Sequence, residues 1–212
     1  MTSPLDTPLW RVVGSAGSWL LFGFSFTAFL LSMFSVMGVG GTCASGGPYE
    51  IAVECPDGSG FFSLLGVYGS LGAIFVALVV ARGFGTRLIS LAWTILFLTL
   101  GGVFTVIGGA GFAQGGWPFA LIGVLFLVMA LVPLVVELRA SAQRVFLGVS
   151  DLAGRRFRER DGARPSWTSP GIPNPPDAVE PTLGDWTLSL ALSLVPAAVG
   201  VALAFAAWGA AT

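Results

Sequence analysis

Long apolar runs alternate with short polar stretches along this chain. The first run, 17–39, carries Phe22, Phe24, Phe26, Phe29 and Phe34 and no charge. Others cover 61–81, 88–109, 118–136 and 186–208. A spanning helix needs about 20 apolar residues, and each run is long enough. A secretory signal is the competing reading of the first run. Its apolar core would be only about 7–15 residues long, behind a basic stretch, whereas here a single Arg11 precedes the run. A lipoprotein signal fits poorly too, because Cys43 follows Thr42 rather than Gly or Ala. The pattern predicts an all-α membrane protein with five transmembrane helices. Residues 1–16 form a cytoplasmic N-terminus, and 17–137 form a four-helix transmembrane bundle with an outer loop at 40–60. Residues 138–185 form a cytoplasmic segment, and 186–208 the fifth helix.

Details within the runs refine this picture. Pro133 lies near the end of the fourth span, where membrane helices tolerate a kink. Gly66, Gly69, Gly72 and Ala73 give the second span a small face for a neighbouring helix, as do Ala198, Ala202 and Ala206 on the fifth. Trp186 and Trp208 bracket that last run, as interface aromatics do. At an offset of 70, Val36, Gly38, Gly41, Gly46 and Pro48 meet Val106, Gly108, Gly111, Gly116 and Pro118. This predicts two helical hairpins, packed as a four-helix bundle, with the fifth helix added. The first copy then carries an insertion, Tyr49 to Gly60.

After the fourth span, Phe146, Val149, Ala153 and Phe157 follow helical spacing. The expectation is an amphipathic helix at the membrane surface. Arg139, Arg144, Arg155, Arg156, Arg158 and Arg160 would then contact anionic lipid headgroups. A helix continuing as a solvated stalk is the alternative. Six prolines between Pro165 and Pro181 follow, and such density favours an extended spacer.

Charged residues make up only 10% of the 212, against about 25% in soluble domains, so lipid must be the solvent over most of the surface. All ten basic residues are Arg, and there is no His. With five spans, every arginine falls on the side of the N-terminus, and Glu50, Glu54 and Asp57 fall on the other. By the positive-inside rule the N-terminus is cytoplasmic and the C-terminus extracytoplasmic.

The loop 40–60 holds both cysteines. Cys43 and Cys55 are twelve apart, and a disulfide would stabilise by about 3 kcal/mol in the chain-entropy model. Free or intermolecular thiols and a redox pair are the alternatives, the last disfavoured because redox pairs are normally CxxC. Tyr49, Glu50, Ile51, Glu54 and Asp57 form the candidate recognition surface. The three acids match no calcium-loop spacing. The predicted spans contain no ionisable residue, which argues against ion-coupled transport. Ser25, Thr27, Ser32, Ser35, Thr94, Thr99 and Thr105 remain, and hydrogen bonds to helix carbonyls are their simplest use.

The stretch TCASGGPYEIAVECP resembles a loop in multi-pass integral membrane proteins of actinobacteria to which no activity is assigned. The resemblance implies a bacterial plasma-membrane location and carries over no functional residue. The reading is a non-enzymatic integral membrane protein, an accessory, assembly or structural subunit, acting through helix packing and its outer loop. Its expected partners are the bilayer, anionic headgroups on the cytoplasmic side, and a protein partner or second copy. No cofactor, metal or nucleic acid is expected. A small uncoupled transporter or channel for a neutral or lipid-like solute is the alternative.

Overall fold

A computed structural model describes residues 7–39, 43, 53–114, 116–138, 142–158 and 174–211. Its helices are α1 (Pro8–Gly38), α2 (Ser59–Val79), α3 (Leu88–Ala110), α4 (Trp117–Leu138), the short α5 (Ala142–Phe146) and α6 (Leu183–Ala211). All but α5 are long and apolar enough to cross a membrane. The chain is all-helical and built as a multi-pass membrane protein. Two compact units divide it, Met1–Arg82 with Ala191–Thr212, and Gly83–Leu190.

In the first unit α1 and α2 pair as an antiparallel hairpin. The helix α1 starts earlier than the apolar run, because Pro8 sits in its first turn, where a missing N–H costs nothing. Its 31 residues reach about 46 Å, beyond a hydrocarbon core of about 30 Å. The early start brings Arg11 into the helix, in its first turns.

The buried positions of α1 include Arg11, Ser15, Ser18, Phe22, Ser25, Phe29 and Ser32. They repeat alternately at four and three residues, the seam spacing of paired helices. Opposite lie Ser59, Phe62, Gly66, Ser70 and Ala73 of α2. Small side chains on both helices let the backbones meet. A Cβ at Gly66 would stand 2.8 Å from Phe29 Cα and 2.9 Å from Ser25 O. One at Gly14 would stand 2.6 Å from Ala81 N.

The later part of α6 joins this hairpin. The predicted face of Ala198, Ala202 and Ala206 is exposed, and Ser193, Gly200 and Ala204 are buried instead. Gly200 decides the rotation. It meets Gly23 and the backbone of Leu20 and Phe24, so a Cβ there would lie 2.7 Å from Phe24 N. No alanine face allows so close an approach. Ala28, Phe62 and Ala204 form the core nearby, with the ring of Trp208 5.2 Å from that of Phe62.

In the second unit α3 and α4 form the second predicted hairpin. Gly101 and Gly123 cross face to face, each placing a would-be Cβ 2.9 Å from the other's carbonyl. Aromatic rings fill the wider parts: Phe97 and Phe104 each contact Phe126, at 5.4 and 5.7 Å. Pro133 lacks the N–H that would reach Met129 O. Thr94 donates to the adjacent carbonyl, Ala130 O (3.4 Å). Of the repeat, most of the first copy lies outside the described residues. In the second copy Gly108 and Gly116 make the turn compact: Gly116 N–H donates to Gly111 O (2.8 Å), and a Cβ at Gly108 would lie 2.8 Å from Ala120 Cα.

The expected amphipathic helix over 146–157 is corrected. Helix α5 ends at Phe146 and the chain then folds irregularly. Gly148 and Gly154 adopt φ of +95° and +89°, which interrupt a right-handed helix. Between them Asp151 accepts the Arg155 N–H at its own carboxylate (2.8 Å), a local bond that competes with helix. The end of the proline-rich stretch is not a free spacer either. Val179 N–H donates to Arg156 O (2.9 Å), and Arg158 N–H to Val179 O (2.8 Å).

Candidate functional site

Two places outside the spans gather the polar chemistry. The first is the connection between α1 and α2. Cys43 and Cys55 are bonded, with Cα atoms 4.9 Å apart, inside the usual disulfide range. Just past Cys55 the chain turns into α2: Ser59 N–H donates to Pro56 O (3.1 Å) and Phe62 N–H to Gly58 O (2.9 Å). Gly58, at φ +73°, makes the entry. A second clamp closes the hairpin here, since Ser32 Oγ donates to Ser59 O (2.6 Å) and pairs with Ser63 Oγ (2.6 Å). Glu54 and Asp57 are exposed. Tyr49, Glu50 and Ile51 lie outside the described residues. Among the described residues no three His, Cys, Asp or Glu side chains converge as metal ligands.

The second place is a polar lobe within Gly83–Leu190. Its frame is the turn between α2 and α3. Gly83 and Gly85 have φ of +83° and +84°, and Gly83 O accepts the N–H groups of Val149 (2.8 Å) and Ser150 (3.3 Å). Gly148 packs against this turn so closely that a Cβ would stand 2.6 Å from Gly83 O. Arg87 N–H donates to Val145 O (2.8 Å), and Phe157 N–H to Val149 O (3.1 Å). Phe84, Val145, Leu147 and Phe157 are buried beneath these bonds. Ser189, in the second turn of α6, donates to the carbonyls of Phe146 and Leu147, both at 3.4 Å.

The structure separates the predicted headgroup arginines into distinct environments. Arg155 forms a two-point pair with the buried Asp151, through Nε and Nη2, both at 2.8 Å. Arg158 stands 3.7 Å from Glu180. Arg156 is exposed, and Arg144 is half-buried. Arg139 and Arg160 lie outside the described residues. Glu180 reaches the lobe from the end of the proline-rich stretch, a partner that local spacing did not indicate. The missed signal was the run Gly148-Val-Ser-Asp-Leu-Ala-Gly154, in which two glycines frame Ser-Asp, a turn composition.

The hydroxyls named from the sequence sit on helix backbones. Ser35 Oγ donates to Ser32 O (2.9 Å) and Thr99 Oγ1 to Ile95 O (2.8 Å). Ser25 and Thr105 are different. Their oxygens are buried without a conventional hydrogen bond. A Cβ at Gly69 would collide with Ser25 Oγ, and one at Gly123 with Thr105 Oγ1. Each hydroxyl thus faces a glycine Cα–H across the helix pair, a weak contact that recurs where helices touch. Thr27 is half-buried.

These two places offer ion pairing, hydrogen bonding and shape. No family model, no curated protein and no solved structure matches the chain.

Proposed function

We propose that this chain is a non-enzymatic integral membrane protein, an accessory, assembly or structural subunit that works through helix packing and the loop between α1 and α2. The use of the polar groups in the spans carries the reading. Ser32, Ser35, Thr94 and Thr99 bond to helix carbonyls, and Ser25 and Thr105 face glycines. These are the groups that a solute path would need; helix contact occupies Ser25, Ser32, Thr94 and Thr105, and carbonyls of their own helix occupy Ser35 and Thr99. A small uncoupled transporter or channel would have to release them, which disfavours that alternative.

Orientation follows from the arginines. The α2–α3 turn and the polar lobe are cytoplasmic, with the N-terminus, and the disulfide-closed loop faces outward. An oxidising exterior suits the Cys43–Cys55 bond. The likeness of that loop to actinobacterial membrane proteins supports a bacterial plasma membrane. There the lobe rests on the anionic leaflet, and the loop, with Glu54 and Asp57 exposed, presents an acidic surface to a membrane partner or a second copy.

Gentle extraction and native mass measurement test the proposal. The expected particle is heavier than the 21.9 kDa chain, as a multiple of it or with a co-purifying protein. A strictly monomeric particle, together with solute flux in proteoliposomes, overturns it in favour of the transporter.

A further inference from the structure

Seven arginines lie among the described residues, at 11, 82, 87, 144, 155, 156 and 158. Six are engaged. Arg155 is held by Asp151 and Arg158 stands by Glu180. Arg11, Arg82, Arg87 and Arg144 have interactions of their own. Arg156 is the exception: it is exposed, and its guanidinium has no partner among the described residues.

Its backbone is among the most firmly held in the lobe. Arg156 bridges Ser150, and its carbonyl accepts the Val179 N–H. On one side Arg155 O accepts the Asp151 N–H (2.9 Å). On the other, the buried Phe157 donates to Val149. The fold therefore presents, from a hydrogen-bonded backbone, a cation with no acidic partner among the described residues. Arg158 follows on the same outward side, since Phe157 between them points in. Its partner Glu180 is 70% exposed and 3.7 Å away, and such a pair holds weakly.

The lobe is also tied to the membrane boundary. Val145 is bonded to Arg87, the residue before α3. Leu147 and Phe146 are bonded to Ser189, near the start of α6. Two spans begin at these anchors, and exposed Phe146 and Leu183 flank them. On the membrane reading, the ends of spans lie near the lipid headgroups.

We propose that Arg156, joined by Arg158, binds the phosphate of an anionic lipid headgroup. A planar guanidinium suits a phosphate through two parallel N–H bonds. Charge balance sharpens the choice. Over 83–87, 142–158 and 174–190, Arg87, Arg144, Arg155, Arg156 and Arg158 meet Asp151, Asp177, Glu180 and Asp185, an excess of one positive charge among the described residues. With so small an excess the general field is weak, and a local site is the stronger recruiter. The inference rests on the membrane reading and not on the subunit role or the orientation.

The test uses the full chain in nanodiscs that contain phosphatidylglycerol and phosphatidylcholine, followed by release and native mass measurement of the lipids retained. Both leaflets are present, and no protein partner is needed, so failure of the proposed function leaves this readout intact. The expectation is preferential retention of phosphatidylglycerol. Arg156→Gln should weaken it about five-fold, the effect of one basic residue at a membrane surface. Adding Arg158→Gln should weaken it again, and Arg156→Lys should keep part of it. Equal retention in the wild type and the double variant overturns the proposal. Inorganic phosphate added to discs of phosphatidylcholine alone forms the second arm. Binding of phosphate that depends on Arg156 would assign a soluble anion instead of lipid and would also overturn it. Tryptophan emission unchanged from wild type confirms that each variant is folded.

Discussion

Replacing Gly66 with alanine should push α1 and α2 apart. The new Cβ would lie 2.8 Å from Phe29 Cα and 2.9 Å from Ser25 O, and nearer still to Phe29 Cβ. Carbon contacts settle at about 3.5–4.0 Å, so the helices must separate locally by about 1 Å. A gap of that size forfeits up to about half of each contact's dispersion energy, and overpacking typically costs about 1–3 kcal/mol. Alanine also favours helix over glycine by up to about 1 kcal/mol, which offsets part of the loss.

A matched control separates the two effects. Gly60 lies in the same helix, and a Cβ there meets nothing within 4 Å. Gly60→Ala should be neutral or stabilising, so the difference between the variants isolates the collision at about 1–3 kcal/mol. Denaturant titration in one detergent, followed by tryptophan emission, provides the measurement, with Trp208 against Phe62 as a reporter within the same unit. Phe29→Ala should not rescue Gly66→Ala, because the colliding Cα and Cβ atoms remain. Equal stability of Gly60→Ala and Gly66→Ala, or full rescue by Phe29→Ala, would refute the packing argument.

Gly148→Ala should open the polar lobe, because its φ of +95° is strained for alanine and the Cβ would meet Gly83 O at 2.6 Å; cleavage within 147–158 by added protease should rise at least ten-fold while the helices persist. Asp151→Asn should give a milder version, about 1–2 kcal/mol, because a buried carboxylate loses charge-assisted bonds to a largely exposed Arg155; hydrogen exchange at the Arg155 amide reads it. Serine at both Cys43 and Cys55 should lower stability by about 3 kcal/mol in the chain-entropy model, seen as a lower denaturant midpoint. In intact cells treated with reductant, an impermeant maleimide should label both cysteines, and protection of both would reverse the orientation.

Hydropathy located all five spans because lipid demands long uninterrupted apolar runs. Their ends were less legible where capping chemistry sets them. Thr182 and Asp185 cap each other at the start of α6, with Thr182 Oγ1 donating to Asp185 Oδ2 (2.6 Å), so the helix begins before Trp186. The small face of α2 was readable: Gly66 and Gly69 meet α1, and Ala73 is buried. On α6 the rotation depended on Gly200 finding Gly23, a long-range match that composition cannot reveal. The lobe was hidden for another reason. Phe146, Val149, Ala153 and Phe157 fit a helical period, yet Ala153 is exposed and two positive-φ glycines interrupt the run. Periodicity counted the apolar residues and gave no weight to the residues between them.

The distribution of chemistry along the fold bears on where recognition resides. Inside the spans, lipid is as apolar as leucine, so helices associate through close packing and not through a hydrophobic drive. Gly23, Gly66, Gly101, Gly123 and Gly200 supply that closeness, and they do so by having no side chain to offer a ligand. The buried serines of α1 lie on the same seam, and Ser32 bonds into α2. The charges that the proposed recognition would use therefore lie toward the ends of the helices. The two ends are closed by different means. The α1–α2 connection is closed covalently, by Cys43 and Cys55. The polar lobe is closed by backbone hydrogen bonds that Gly83 and Gly148 make possible. A covalent closure constrains the two residues it joins, whereas the hydrogen-bonded lobe holds each backbone group that takes part in its bonds. In the proposed function the loop is the end that meets a protein partner, and the lobe is the end that meets the headgroup phosphate.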